Sequence, residues 1–169
     1  MPETPEGLLA RLAAAGIAAE TRRHRPVFTV AENRDLRGDL PGGHTKNLFL
    51  RPAKGEGPFL LATIEEERQL SINALARIAG AGKVRMASAE ELEATLGVPP
   101  GAVTPFGLVN AAPGSVRFVM DRHLAEGFER IWVHPLTNAA STGLAPAELL
   151  RFLGALGHPA LLLDLPAGP

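Results

Sequence analysis

Apolar residues recur at helical spacing in several short segments, each bounded by a capping residue or a glycine. In the first, Leu8, Leu9 and Leu12 lie between Thr4, which precedes a proline and can cap a helix, and Gly16, which ends the pattern. Capping-box spacings and similar periodicity predict four further helices, over about 30 to 37, 71 to 79, 88 to 97 and 146 to 156.

Short apolar runs between turn-forming residues predict strands. KNLFLRP and PFLLATI are separated by AKGEG, whose glycines favour a hairpin, so we expect these two runs to pair. Five other runs also predict strands: AAETRRHRP, KVRMA, SVRFVMD, RIWVHP and ALLLDL. The segments GDLPGGH and GVPPGAVTPFGLVN are interpreted as loops. We therefore expect an α+β fold with a mixed, strongly curved, barrel-like sheet of about seven strands and surrounding helices.

Length and composition indicate one soluble globular domain over residues 1–169. Hydrophobic residues make up 46% of the chain and charged residues 21%, which provides enough apolar surface for a core. The absence of cysteine excludes thiolate nucleophiles, thiolate metal ligands and disulfides. The N-terminus lacks a signal-peptide pattern and no apolar run has the length of a membrane span, so we expect a cytoplasmic protein without a membrane partner.

The net charge of −1 limits how this chain can bind nucleic acid. Nucleic-acid-binding domains are typically basic, so a nucleic-acid partner here has to be held by a local patch. Arg22, Arg23 and Arg25, with His24 between them, form the densest basic cluster. A solvated face is the ordinary interpretation of such a cluster. Three further basic residues are more scattered: Lys83, Arg85 and Arg117.

Common catalytic and cofactor motifs are absent or incomplete. Ser141, His134 and Asp121 could be assembled into a triad, but no G-x-S-x-G motif accompanies them, which disfavours it. The five histidines show no metal-ligand spacing, and neither a P-loop nor G-x-G-x-x-G occurs. We therefore expect neither a metal nor a cofactor.

Lys46 and Asn47 occupy an unusual place in this pattern. Gly42 and Gly43 precede them and LFLR follows, so a lysine lies where a loop becomes a packed strand. Such a lysine is structural or solvated, or it binds an anion at the rim of a pocket, where a desolvated charge interacts strongly.

Two other positions have both an ordinary and a functional interpretation. Gly101 and Pro105 bracket a tight turn, in which a glycine lets the backbone approach a ligand and offer an N–H to a carbonyl oxygen. The proline after His134 favours an extended backbone and gives the imidazole a defined direction at the strand end. A simple turn and a core or surface histidine are the ordinary alternatives.

Three blocks of sequence together resemble a known family. HTKNLFLR at 44–51, GAVTPFGLVN at 101–110 and HPLTNAASTGL at 134–144 are similar, in order and spacing, to the signature segments of the prolyl-tRNA editing family, the YbaK/ProX-type aminoacyl-tRNA deacylases. The resemblance covers nearly the whole chain and implies the fold of these editing domains. The Lys-Asn pair and the V-T-P-F-G loop most resemble the freestanding alanyl-tRNA(Pro) deacylases. This implies hydrolysis in trans of mischarged alanyl-tRNA(Pro) to alanine and free tRNA(Pro).

The resemblance also implies roles for individual residues. Lys46 would reach the terminal adenosine phosphate or the ester, and Asn47 would fix the substrate. Gly101 would offer its N–H to the ester carbonyl, and His134 would line the pocket near the amino acid. Water would attack directly, helped by the terminal ribose hydroxyl of the tRNA. Candidates for substrate binding are Val27, Phe28, Val30, Leu48, Thr104, Pro105, Phe106 and Asn138.

The partner implied by the resemblance is the acceptor end of mischarged tRNA(Pro), with Arg22, Arg23 and Arg25 as candidate phosphate contacts. Prolyl-tRNA synthetase is a second candidate partner, and the oligomeric state is left open. Two alternatives stay open for the function. One is a deacylase for cysteinyl-, seryl- or threonyl-tRNA, and the other is a non-catalytic module of the same fold that binds tRNA or the synthetase.

Overall fold

The computed structural model describes residues 1–37 and 40–166, apart from the side chains at positions 33 and 35–37. Two residues of the GDLPGGH loop, at positions 38 and 39, therefore lie outside the described residues. The helices are α1 (Pro5–Ala14), α2 (Val30–Arg37), α3 (Ile72–Ile78), α4 (Ala89–Leu96), α5 (Arg122–Glu126) and α6 (Pro146–Ala155), and a 3₁₀ helix covers Pro105–Asn110. The strands are β1 (Ala19–Arg23), β2 (Gly43–Pro52), β3 (Phe59–Glu65), β4 (Val84–Met86), β5 (Val116–Asp121), β6 (Ile131–Val133), β7 (Ala140–Leu144) and β8 (Ala160–Leu163).

The helix starts follow the capping chemistry of the sequence. The Thr4 hydroxyl accepts a hydrogen bond from the Gly7 N–H at the start of α1, and Ser88 and Glu91 form a complete capping box at the start of α4. Gly97 ends α4 in the left-handed conformation, at φ 69°. At α2, Thr29 accepts from the N–H of Glu32, whose carboxylate accepts from the Phe28 N–H. The five predicted helices are confirmed.

The eight strands pair in the order β1-β7-β6-β2-β3-β5-β8, and β4 pairs with β2. Four of the pairings are antiparallel, including the β2–β3 hairpin, and three are parallel: β2–β6, β3–β5 and β5–β8. The mixed sheet and the α+β class are confirmed. Within the described residues β1 and β8 are the ends of the order and do not pair, so a closed barrel is not observed.

Two elements were missed by the sequence pattern and one loop is helical. β7 has the sequence ASTGL, which lacks an apolar run, and it forms because β1 and β6 supply backbone partners on both sides. α5 is a five-residue helix capped by the buried Asp121. The predicted loop at 97–110 contains the 3₁₀ helix, which Thr104 caps by accepting from the Phe106 N–H.

The sheet separates two apolar clusters. Successive residues of β2 point to opposite faces, so Phe49 belongs to the larger cluster and Leu50 to the smaller one. The larger cluster collects residues of α1, α4, α6 and the 3₁₀ helix, and the smaller one lies beneath α3. β2 is therefore fixed on both faces, and its first residues are a rigid base for side chains at the end of the sheet.

Candidate active site

A cavity of about 220 Å³ lies at the beginning of β2, where the segment before α2, the Gly101 turn and the end of β6 approach it. Four residues that the sequence singles out for catalysis contribute to its wall, although they are up to 88 positions apart in the chain: Lys46, Asn47, Gly101 and His134. The other lining residues are Val27, Phe28, Thr29, Val30, Thr45, Glu66 and Val103. The wall thus combines polar and apolar side chains.

β2 presents Lys46 and Asn47 to the cavity. The Asn47 Oδ1 accepts a hydrogen bond of 2.5 Å from the hydroxyl of the buried Thr63 on β3. This fixes the amide so that its NH₂ group, which has no acceptor among the described residues, is a donor for a ligand. Neighbouring Thr45 donates 2.7 Å to the Trp132 carbonyl and ties β2 to β6.

The Lys46 ammonium is held by the loop that follows β3. Its Nζ donates a hydrogen bond to the carbonyl oxygen of Arg68. The Arg68 guanidinium in turn donates two hydrogen bonds, of 2.9 and 3.2 Å, to the two carboxylate oxygens of Asp121. Asp121 is fully buried and also accepts from the N–H groups of Glu65 and His123. The hydrogen bond to Asp121 raises the pKa of Arg68 above its usual value.

Gly101 brings the backbone to the cavity in a conformation that other residues rarely adopt. Its φ is +91°, and a Cβ at this position would lie 3.0 Å from a ring carbon of Phe28 and 3.4 Å from the Asn138 amide nitrogen. The Gly101 N–H has no acceptor among the described residues. The positive φ therefore favours glycine, and a Cβ at this position would also require a small shift of the exposed Phe28 ring.

His134 presents a neutral ring to the cavity. Its Nδ1 lies 2.9 Å from the carbonyl oxygen of Ala140, and because a carbonyl only accepts, Nδ1 carries the proton and Nε2 is the unprotonated nitrogen. Burial lowers the pKa of His134, and the nearby His24 ring, 6.4 Å away between centroids, lowers it further, while the bond to Ala140 opposes the shift. His134 is therefore an acceptor at neutral pH.

The lowered pKa predicts a pH dependence of stability. A histidine in the unfolded chain titrates near ~6.5, so as the pH falls below ~6.5 the unfolded state binds a proton before the folded state does. The free energy of unfolding should then decrease until the pH passes the folded pKa of His134. In His134→Asn, whose amide can still donate to Ala140, this component should be absent. Urea unfolding at about pH 7.5 and about pH 5.5 checks it, and equal losses in both proteins would contradict the assignment.

Five of the eight residues proposed from the sequence to bind substrate do not line the cavity: Leu48, Thr104, Pro105, Phe106 and Asn138. Leu48, one rung beyond Lys46 on the same face of β2, packs against the smaller apolar cluster. Pro105 and Phe106 are buried by the 3₁₀ helix, and the Phe106 ring contacts Phe152 edge-on at 6.2 Å. Thr104 is fully buried, and its hydroxyl donates 2.6 Å to the His134 carbonyl. Thr104 therefore supports the backbone of His134.

Asn138 also lies behind the wall. Its amide nitrogen donates 2.8 Å to the Val27 carbonyl, and the Val27 N–H donates 3.2 Å to the Asn138 carbonyl. Val27 is buried, whereas Phe28 is 67% exposed at the mouth of the cavity. The pair of hydrogen bonds holds the segment that carries Val27 and Phe28 against the segment between β6 and β7.

The arginine cluster lies on and just after the edge strand β1. Arg22 forms an ion pair of 2.8 Å with Glu20, while Arg23 and Arg25 are exposed and have no carboxylate partner among the described residues. None of the three contributes to the cavity wall. The triad considered from the sequence is not assembled, because Asp121 binds Arg68 and Ser141 lies 3.0 Å from His24 Nε2.

The segment after β3 also contributes to the cavity, although no sequence motif identified it. Glu66 is 4% exposed and lines the cavity beside Lys46, and Arg68 and Asp121 hold the same loop. A signal was present, since the buried strand FLLATIE is followed directly by E-E-R. Charged residues placed at the end of a buried strand often belong to a site, but without the fold nothing links Arg68 to Asp121.

Comparisons with known proteins identify the family of the chain. The family model for the aminoacyl-tRNA editing domain matches residues 24–152, so the chain belongs to this family. It is 39% identical to prolyl-tRNA synthetase associated domain-containing protein 1 of Bos taurus over 91% of both chains. It is 29% identical to prolyl-tRNA editing protein ProX of Acetoanaerobium sticklandii over 96% of this chain and 98% of that one.

A solved structure supports the fold independently. A crystal structure described as a candidate trans-editing enzyme for prolyl tRNA synthetase has a TM-score of 0.73, with 24% identity and 97% coverage of both chains.

None of the described helices has the length and apolar character of a membrane span, since the longest, α1 and α6, have 10 residues each.

Proposed function

We propose that this protein is an aminoacyl-tRNA deacylase that hydrolyses alanyl-tRNA(Pro) in trans, releasing alanine and free tRNA(Pro). The convergence of Lys46, Asn47, Gly101 and His134 on one small cavity carries the proposal. Membership in the editing family and the name of the ProX relative support an editing reaction in the prolyl-tRNA system. The dimensions of the site favour alanine as the amino acid.

The donors around the cavity suit hydrolysis of an ester by water. When water attacks an aminoacyl ester, the carbonyl oxygen gains negative charge, and fixed donors aimed at it lower the barrier. The N–H of Gly101, which lies on the cavity wall and has no acceptor among the described residues, is available to donate to this oxygen, and the Asn47 amide can hold the ester from the β2 side. The Lys46 ammonium adds a positive charge that can stabilise the oxyanion or bind the terminal phosphate of the tRNA. The described residues include no nucleophile with an activating base in this cavity, so direct attack by water is the simplest path.

His134 and the terminal ribose of the tRNA can position the substrate and the attacking water. The unprotonated Nε2 of His134 can accept a hydrogen bond from the substrate ammonium group or from water. The free hydroxyl of the terminal ribose lies next to the ester in any aminoacyl-tRNA and can orient the attacking water. Positioning of this kind supplies a large part of the barrier reduction, because the reacting groups are held together in advance.

The size of the cavity favours a small amino acid. About 220 Å³ is less than the ~300–1,000 Å³ of sites for drug-sized ligands, and the lining includes the apolar side chains of Val27, Val30 and Val103. An editing enzyme is needed where a synthetase cannot exclude a smaller substrate, since one methylene changes discrimination by only ~1–3 kcal/mol. Alanine is smaller than proline and fits this logic.

A deacylation panel tests the proposal. The purified protein is mixed with tRNA(Pro) charged with alanine, cysteine, serine or proline, and with tRNA charged with threonine, and ester loss is followed over time. We expect alanyl-tRNA(Pro) to be hydrolysed about 10- to 200-fold faster than each of the others, the range that one small group can provide. Faster hydrolysis of the cysteinyl, seryl or threonyl ester would reassign the substrate. No hydrolysis of any ester, with tRNA binding retained, would replace the enzyme by a binding module.

A further inference from the structure

A second, larger cavity lies at the other end of β2. Its volume is about 610 Å³, and it is formed by the β2–β3 hairpin, the segment that leads into β4, and the start of β5. The Ala53 N–H donates 2.9 Å to the Lys83 carbonyl, which fixes two of these segments to each other. The lining residues are Pro52, Ala53, Lys54, Pro58, Leu60, Ala81, Gly82, Lys83, Val84 and Arg117.

The charges in this cavity are all positive. The chain has three lysines, and the two that are not at the candidate active site, Lys54 and Lys83, both lie here. Arg117 on β5 is the third cation, and one of its nitrogens donates 2.6 Å to the Ala79 carbonyl. None of the three has a carboxylate partner among the described residues, although most arginines elsewhere in the described chain do. In a chain of net charge −1, this concentration of unpaired cations is a local feature.

The uncharged part of the wall has few side-chain groups that could recognise a small molecule. Apart from the three cations, the lining residues are proline, alanine, leucine and valine, with one glycine, so no side-chain hydroxyl, amide or carboxylate lines the cavity. Sites for small molecules usually place a few polar groups to fix orientation. Cations without such groups bind phosphates through charge and do not select bases, which is how proteins hold a nucleic-acid backbone.

The cavity is also at a useful distance from the candidate active site. Pro52 lies six positions after Lys46 along β2, which corresponds to ~20 Å at ~3.3 Å per residue. Stacked nucleotides rise by ~3.4 Å per step, so ~20 Å corresponds to about six nucleotides. An RNA whose 3′ end occupies the first cavity can therefore reach the second with its stem.

We propose that Lys54, Lys83 and Arg117 form a groove that binds the phosphate backbone of the substrate RNA, at a distance from the reacting ester. The identity of that RNA as a tRNA rests on the proposed function, whereas backbone binding by the groove does not. Arg117 is fixed by the Ala79 carbonyl, and the two lysines are exposed and adapt to phosphates without a defined sequence.

Binding of uncharged tRNA tests the groove directly. The affinity of wild type and of Lys54→Ala/Lys83→Ala is measured as a function of salt concentration. We expect about ten-fold weaker binding by the variant, and a slope of log affinity against log salt that is smaller by about 0.7 to 0.9 for each lysine removed. A charge-matched control is Arg122→Ala/Arg151→Ala, which removes two ion-paired cations on other surfaces. Unchanged affinity and slope in the lysine variant, or an equal loss in the control, would overturn the proposal.

Deacylation separates the groove from the reaction. The lysine variant should show a raised KM for full-length alanyl-tRNA(Pro) and unchanged kcat/KM for a 3′-alanylated trinucleotide, which is too short to reach the groove. An equal loss on both substrates would place the lysines in the reaction and refute a separate binding surface. If the wild type hydrolyses neither ester, the proposed function fails, and the tRNA-binding measurement still decides the groove. Saturable binding of AMP that the lysine variant loses, together with unchanged tRNA binding, would assign a small-molecule site instead.

Discussion

Replacing Lys46 by methionine is expected to lower kcat/KM for deacylation by about 10²–10³-fold, the loss typical when one charge-stabilising donor is removed. Methionine keeps the length and apolar stem of the side chain but removes the ammonium that binds the Arg68 carbonyl and faces the cavity. Because one hydrogen bond of a half-exposed group is lost, the free energy of unfolding should fall by only ~1–3 kcal/mol. Single-turnover hydrolysis of alanyl-tRNA(Pro) and urea unfolding measure the two effects separately.

The matched control is Lys54→Met, the same substitution in the loop that joins β2 to β3, away from the candidate active site. On a 3′-alanylated trinucleotide it should hydrolyse at the wild-type rate, whereas Lys46→Met should not. Full turnover by a folded Lys46→Met protein would exclude the role proposed for this ammonium. Asn47 and Gly101 would then have to provide the stabilisation without a cation.

The second large effect is expected from Asp121→Ala. The carboxylate is fully buried and accepts hydrogen bonds from Nε and Nη2 of Arg68, whose Nη1 donates to the Pro166 carbonyl. Removal of the carboxylate therefore leaves a guanidinium whose side chain is only 13% exposed without its charged partner. Breaking a buried pair in this way costs about 3–5 kcal/mol of unfolding free energy. The loop that carries Glu66 and the Arg68 carbonyl should also loosen, so the deacylation rate should fall at temperatures where the protein is still folded. Thermal unfolding and kcat measured on the same preparation check both consequences.

Asp164→Ala is the control for this substitution. Asp164 also forms an ion pair with an arginine, at 2.8 Å to Arg122, but its side chain is 81% exposed. Exposed pairs contribute only ~0–1 kcal/mol, so this variant should unfold close to wild type and retain its activity. If Asp121→Ala does not fold, Asp121→Asn keeps the shape and the helix cap while removing the charge. Wild-type stability and rate in Asp121→Asn would contradict the importance of the Asp121–Arg68 pair.

Local chemistry explains which elements could be predicted. Thr4, Ser88 and Gly97 satisfy backbone groups within a few residues of themselves, so their effect is already present in the sequence. The β2–β3 hairpin is similar, because its two apolar runs are joined by a short glycine-containing loop. β7 was missed because a strand of small and polar residues depends on the neighbours that bind its backbone, and these lie far away in the chain.

The residues of the candidate site also fall into two groups: those that local motifs identify and those whose role depends on the fold. Lys46, Asn47, Gly101 and His134 were identified from short motifs and their resemblance to a family, and the structure places them around one cavity. Phe106 and Thr104 were grouped with them because they belong to the same motif. In the structure that motif serves packing and support: Phe106 fills the core, and Thr104 holds the His134 carbonyl.

The sequence by itself determined the helix boundaries set by caps, the α+β class, the family and the residues whose chemistry suits an ester. These follow from interactions between residues close in the chain, or from motifs that are themselves continuous. Only the tertiary structure decided that Asp121 holds Arg68 and thereby Lys46, and that Lys54, Lys83 and Arg117 share one groove. Such arrangements depend on which strands become neighbours, and strand order is set by the burial of the whole sheet and not by any local pattern.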